Sequence, residues 1–191
     1  MKITRTSISG AWIIESQFHS DNRGEFSEVF KKSFIKDELD FIFSPVQSNF
    51  SVSKINVIRG VHYSLNAGGQ AKYVTCLSGE VMDFVVDVRP NSPTFGKWIS
   101  INLKSGSGKS ILIAGNLGHA FVALKEDSHV NYLLDSEYAP EFEYQINPFD
   151  ETLKIEWPGG NYLVSDKDKS APSLLELLEQ KKLPTIEESG A

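Results

Sequence analysis

Residues 95–103 constrain the fold more than any other stretch of the sequence. Phe95, Lys97, Ile99, Ile101 and Leu103 alternate with Gly96, Trp98, Ser100 and Asn102. A period of two places successive side chains on opposite faces, which is the signature of a β-strand. Further β-rich runs stand at 57–63, 73–77, 81–88, 111–113, 121–124 and 130–134. Between them lies turn chemistry: Ser78-Gly79, Arg89-Pro90-Asn91-Ser92-Pro93, Ser105–Gly108 and Gly115-Asn116. Short strands at this spacing predict an all-β sandwich or barrel.

Helix is expected only at the flanks. Lys32–Leu39 predicts a short one. Residues 173–182 predict another, opened by Pro172 and Ser173, striped by Leu174, Leu175, Leu177 and Leu178, and stopped by Pro184. Those leucines are expected to pack on the barrel. The tail, 186–191, is expected to fray. At 191 residues the chain fits a single domain, 1–191, large enough to bury a core without staples.

A formal net charge of −6 argues against nucleic acid or an anionic membrane as partner, while leaving room for a local basic pocket. The single cysteine, Cys76, cannot form an intramolecular disulfide, and its neighbours Tyr73-Val74-Thr75 and Leu77 predict a buried structural thiol. The longest early apolar run, Ala11-Trp12-Ile13-Ile14, is too short for a signal core or a membrane span. A cytoplasmic protein is expected.

Gly106-Ser107-Gly108-Lys109-Ser110 looks superficially like a phosphate loop. That motif needs a glycine where Leu103 stands and must open a helix, so a hairpin turn is expected instead. Histidines in a β-barrel suggest a metal, which needs three or four convergent ligands. The four here are His19, His62, His119 and His129, with no His-x-His among them. No metal site is expected.

His62 lies in a strand with Arg59 and shortly before Lys72. Cationic donors beside a histidine suit an anionic or enolate-forming ligand, whereas a histidine alone in an apolar strand is more often a satisfied core residue. By its spacing alone, Asp168 reads as a solvated surface carboxylate.

A set of segments in one order then carries a resemblance. They are Asp21-Asn22-Arg23-Gly24-Glu25-Phe26, Gln47-Ser48-Asn49, Val57-Ile58-Arg59-Gly60-Val61-His62-Tyr63 and Gln70-Ala71-Lys72. Asp87-Val88-Arg89, Ser92-Pro93-Thr94-Phe95-Gly96, Gly118-His119-Ala120-Phe121, Tyr138-Ala139-Pro140, Glu156-Trp157-Pro158 and Ser165-Asp166-Lys167-Asp168 complete it. The chain resembles the dTDP-4-dehydrorhamnose 3,5-epimerase family over nearly its whole length.

That resemblance implies a cupin-type jelly-roll barrel with short flanking helices, a homodimer, and chemistry without metal or other cofactor. The implied substrate is a dTDP-linked 4-keto-6-deoxy sugar inverted at C3 and C5. His62 matches the base, Tyr132 the acid, Asp168 the partner of His62, and Lys72 the residue near the keto oxygen. Arg23, Glu28, Gln47, Asn49, Arg59, His119, Tyr138, Glu143 and Lys167 match ligand-contacting positions.

The residue types suit such chemistry. A ketone at C4 acidifies the hydrogens on C3 and C5, which neutral imidazole can remove. A carboxylate partner fixes the imidazole tautomer, and a cation meets the enolate oxygen in a water-poor site. Arginine suits a diphosphate because its planar fork pairs two oxygens at once.

Three segments depart from the family pattern: Ser64-Leu65 after His62-Tyr63, Gly115-Asn116-Leu117-Gly118 before His119, and Asn147-Pro148-Phe149-Asp150. The first two, taken with Gln70-Ala71-Lys72-Tyr73-Val74-Thr75-Cys76, look more like epimerases of antibiotic deoxysugar pathways, some of which invert a single carbon. A C3-only or C5-only epimerase is therefore one alternative. A sugar-nucleotide-binding cupin without chemistry is another, and a metal-dependent cupin oxygenase a third.

Overall fold

Strand follows strand through residues 1–185, which the computed structural model describes. In chain order the elements are β1 (Lys2–Arg5), β2 (Ala11–Glu15), β3 (His19–Asp21), β4 (Gly24–Phe26), α1 (Lys32–Leu39), β5 (Gln47–Ser53) and β6 (Ile58–Ser64). There follow β7 (Lys72–Ser78), β8 (Glu80–Val86), β9 (Trp98–Lys104), β10 (Lys109–Ile113), β11 (Gly118–Ala123) and β12 (Ser128–Leu134). Last come β13 (Glu143–Gln145), α2 (Asp166–Lys169) and α3 (Leu174–Glu179).

Two antiparallel sheets form the body, ordered β1-β2-β10-β7-β12-β5 and β13-β6-β11-β8-β9, with β3 and β4 paired as a separate hairpin. The chain crosses repeatedly from one sheet to the other, so strands distant in sequence become neighbours. This is the cupin-like jelly roll that the resemblance implies.

Alternation sorts each strand's side chains. Val74, Cys76, Ile111 and Val130 of the six-stranded sheet meet Val81, Val85, Leu103 and Phe121 of the five-stranded sheet in the barrel interior. On the outer face of the five-stranded sheet, Phe84, Val86, Ala120 and Val122 are covered by Leu174 and Leu177 of α3. Trp12, Ile14, Tyr73 and Leu112 are covered by Ile35 of α1 and by Phe43. The central strands of each sheet thus hide both faces, and polar residues aimed inward there are conspicuous.

The structure adjusts several expectations. The strand expected from Phe95 begins at Trp98, because Gly96 and Lys97 are spent in a turn closed by Gly96 N–H to Asp87 O and Lys97 N–H to Thr94 O. Helix α3 ends at Glu179 rather than Lys182; its capping box joins Ser173 and Glu176, and Leu175 stays 49% exposed. The Gly106–Gly108 turn does not close a hairpin. Strand β9 pairs with β8, whereas β10 pairs with β2 and β7, so the turn carries the chain between sheets. The expected frayed tail lies outside the described residues.

Candidate active site

The inner faces of the two sheets part at one end of the barrel, leaving a cleft of about 830 Å³. Along β6 the apolar Ile58, Val61 and Tyr63 point outward, so Arg59 and His62 point in. Gly60 permits this. Its φ is +123°, and a Cβ there would meet the Cβ of Ala120 on β11 at 2.4 Å. The close approach sets a bulge in the β6–β11 ladder and brings His62 opposite His119.

Asp168 reaches His62 from far along the chain. Leu163 makes a parallel bridge to Val57 and accepts a hydrogen bond from the Ile58 N–H, laying the late segment beside β6. Ser165 then caps α2 by accepting from the Asp168 N–H. The carboxylate is thereby turned inward, buried, with Oδ1 2.7 Å from His62 Nε2. Burial alone would raise its pKa. Hydrogen bonds from His62, Ser165 and the Gly60 backbone outweigh that and hold it below the usual carboxylate range. The expectation of a solvated Asp168 is corrected.

The facing wall belongs to the six-stranded sheet. Tyr132 on β12 presents its ring edge to His119, with centroids 5.8 Å apart. Burial raises its phenol far above the ordinary range, offset slightly by the neighbouring Ser51 hydroxyl and the Arg59 charge, so it stays protonated. Lys72 opens β7 with its side chain in the barrel. Burial lowers its pKa, while the negative charges of Glu143 and Asp83 pull the other way. His119 Nε2 lies 2.8 Å from Asp83 Oδ2, and both residues are buried.

Of the thirteen residues singled out in the sequence, ten line this cleft: Asn49, Arg59, His62, Lys72, His119, Tyr132, Tyr138, Glu143, Lys167 and Asp168. Gln47 stands just behind the rim, where its amide donates to Asn49 Oδ1 at 2.7 Å and accepts from the Tyr138 N–H. Arg23 and Glu28 do not reach the cleft. Arg23 sits in the β3–β4 turn, 85% exposed and paired with Asp21, while Glu28 follows the same hairpin and its carbonyl accepts from Ser16.

Sequence reasoning passed over Asp83, although the signal was present: a carboxylate set between the apolar pairs Val81-Met82 and Phe84-Val85. Gln70, Tyr144 and Gln145 also line the cleft. Among the described residues no group of three or more His, Cys, Asp or Glu is placed to hold a metal ion. Among the described residues no helix is long and apolar enough to cross a membrane.

Comparison with known proteins agrees with this arrangement. Residues 5–176 match the family model described as dTDP-4-dehydrorhamnose 3,5-epimerase. A protein of that name from Mycolicibacterium smegmatis is 44% identical over 97% of this chain and 92% of its own. A dTDP-4-dehydro-6-deoxyglucose 3-epimerase from a Streptomyces species is 40% identical over 95% of this chain and 93% of its own. A crystal structure of dTDP-6-deoxy-D-glucose-3,5-epimerase from Legionella pneumophila, in complex with dTDP-4-keto-L-rhamnose, superposes with a TM-score of 0.91. It is 35% identical, covering 97% of this chain and 98% of that one. The chain belongs to the dTDP-4-dehydrorhamnose 3,5-epimerase family.

Proposed function

We propose that the protein converts dTDP-4-dehydro-6-deoxy-D-glucose to dTDP-4-dehydro-L-rhamnose, inverting C3 and C5 through enolate intermediates. One observation carries this reading: His62 and Tyr132 line one cleft from opposite sheets. Inversion needs a proton taken from one face of a carbon and returned to the other, and a base and an acid on facing walls supply that.

His62 is the base. Its Nε2 is engaged by Asp168, which leaves Nδ1 to accept the proton, and the carboxylate stabilises the imidazolium that results. Lys72 meets the enolate oxygen. Tyr132, neutral by burial, returns the proton. Arg59 and Lys167 bring positive charge to the mouth for the diphosphate. Asn49, Tyr138, Glu143 and His119 contact the remainder of the ligand.

The alternative is inversion at C3 alone, favoured by the 40% identity to the Streptomyces 3-epimerase. Incubation with the 4-keto sugar nucleotide in deuterated water, read by NMR, separates the readings. Label and inversion at both carbons support the first, and label at C3 alone supports the alternative. No label at either carbon removes both.

A homodimer belongs to the same proposal. Strand β5 is a sheet edge with Phe50 56% and Val52 48% exposed, and Phe26 on the hairpin is 66% exposed. Such apolar groups in solvent suit a second copy. Arg23 and Glu28, absent from their own cleft, would then act in the partner's. A cytoplasmic location fits the buried, unpaired Cys76.

A further inference from the structure

His62 and Asp168 lie in elements far apart in the chain, so the gap between them must be fixed by contacts elsewhere. The start of α2 is anchored by the Val57–Leu163 bridge and by the Ser165 cap. Its far end is held by Asn147, which stands outside the cleft. Asn147 Nδ2 donates to the Lys169 carbonyl at 2.8 Å, and the Asn147 N–H donates to the Pro172 carbonyl at 3.0 Å. A helix end leaves its last carbonyls without intrahelical partners, so the Lys169 oxygen needs such a donor. Through Oδ1 the same side chain accepts from the Phe149 N–H at 2.9 Å, which fixes the orientation of the amide.

One residue earlier, Ile146 exchanges two main-chain hydrogen bonds with Val61, at 2.9 and 3.2 Å. Val61 precedes His62, and Lys169 follows Asp168. A closed ring results. It runs from His62 to Val61, across to Ile146, on to Asn147, across to Lys169, and back through Asp168 to His62. A local turn with Phe149 would need only the Asn147 oxygen. The bond from Nδ2 reaches 22 residues along the chain and closes the ring.

We propose that Asn147 is a positioning residue whose amide ties α2 to the ladder beside His62 and so sets the His62–Asp168 contact. Its effect on turnover rests on the epimerase reading above; its effect on the imidazole does not. Without the tie, α2 keeps its Ser165 cap while its far end is free to shift. Asp168 then holds the imidazole less firmly in one tautomer.

The test is Asn147→Asp, which keeps an oxygen for the Phe149 N–H and sets a second against the Lys169 carbonyl. Nitrogen NMR of the His62 ring gives the first reading and needs no turnover. In the unaltered protein at mildly alkaline pH, the neutral ring should carry its proton on Nε2, facing Asp168. In N147D the form protonated on Nδ1 should gain population. A role confined to stability would lower the unfolding midpoint and leave those signals where they were. Deuterium exchange into the 4-keto sugar nucleotide gives the second reading. It should fall about tenfold or more, because a misplacement of about 1 Å costs on the order of a hundredfold. Since the loss passes through Asp168, the double variant N147D/D168N should exchange no more slowly than D168N alone. Unchanged His62 signals, undiminished exchange in N147D, or losses that multiply in the double variant would overturn the proposal. If the unaltered protein itself exchanges no label, the epimerase reading fails and the His62 signals alone decide. Should N147D fail to fold, N147S loses the reach to Lys169 while keeping a hydroxyl for Phe149, and is read in the same way.

Discussion

His62 and Asp168 stand 106 residues apart in the chain and 2.7 Å apart in the fold. The strand supplies an imidazole that is 40% exposed to the cleft, while the short helix α2 supplies a carboxylate that is only 6% exposed. The exposed partner can meet substrate; the buried one can only orient it. Replacing His62 by Ala should therefore abolish solvent exchange at both C3 and C5. Asp168→Asn should slow exchange by on the order of a hundredfold or more, the range of positioned acid–base catalysis, with the fold intact by circular dichroism. Normal exchange in H62A would remove His62 as the base.

Metal independence is the second expectation, drawn from the absence of His-x-His and of any metal-sized ligand group among the described residues. Purified protein should retain its exchange rate after prolonged chelation. Activity lost to EDTA and restored by one particular ion would mean that the enolate is not stabilised by Lys72 alone.

The third prediction concerns stability rather than turnover. Asp87 and Arg89 form a buried bidentate pair, at 2.7 and 2.8 Å, and Ser92 and Thr94 also donate to the carboxylate. Burial would raise the Asp87 pKa, but these partners win and hold it below the ordinary range. Arg89→Met leaves the charge buried and unpaired, which should cost about 3–5 kcal/mol in urea unfolding at neutral pH. A group with a depressed folded pKa contributes stability above its unfolded value and loses it as pH falls through the folded one. The gap between the two proteins should therefore narrow in acid. A gap that is constant with pH would assign the cost to packing instead.

How much of this was legible in the sequence follows from what each residue's neighbours are. The interior strands announce themselves because their apolar partners are local, and α1 was placed to the residue for the same reason. Asp168 was not legible by spacing, since its environment is made by a bridge between Leu163 and Val57 that no local pattern encodes. The turn at Gly106–Gly108 was read as a hairpin because turn chemistry reports a reversal, not which sheet receives the next strand. Arg23 and Glu28 meet the same limit: a motif can assign them a ligand contact, while the fold of one chain leaves both outside the cleft.

That last point gives a mixing experiment. If Arg23 serves the partner's cleft, R23A and H62A homodimers should each be nearly inactive. Dissociated and reassembled together, they should regain activity, because a mixed dimer holds one cleft with both residues intact. No recovery, with mixed dimers demonstrated by mass spectrometry, would mean that Arg23 does not serve the partner's cleft.

Tyr132→Phe is the most exposed prediction, because it separates two proton transfers that other variants abolish together. The ring volume is nearly unchanged, so the edge contacts with His119 and the packing on Phe121 should persist. His62 can still remove the proton, and Lys72 can still hold the enolate. What is lost is the hydroxyl on the opposite sheet. The enolate must then be reprotonated mainly from the His62 side, which restores the starting configuration. Deuterium should continue to enter the sugar while inverted product falls by on the order of a hundred- to ten-thousand-fold. Exchange and inversion falling together would leave the two-wall assignment unsupported. Fully normal inversion would eliminate Tyr132 as the acid and pass the role to Tyr138 or His119, both of which line the same cleft.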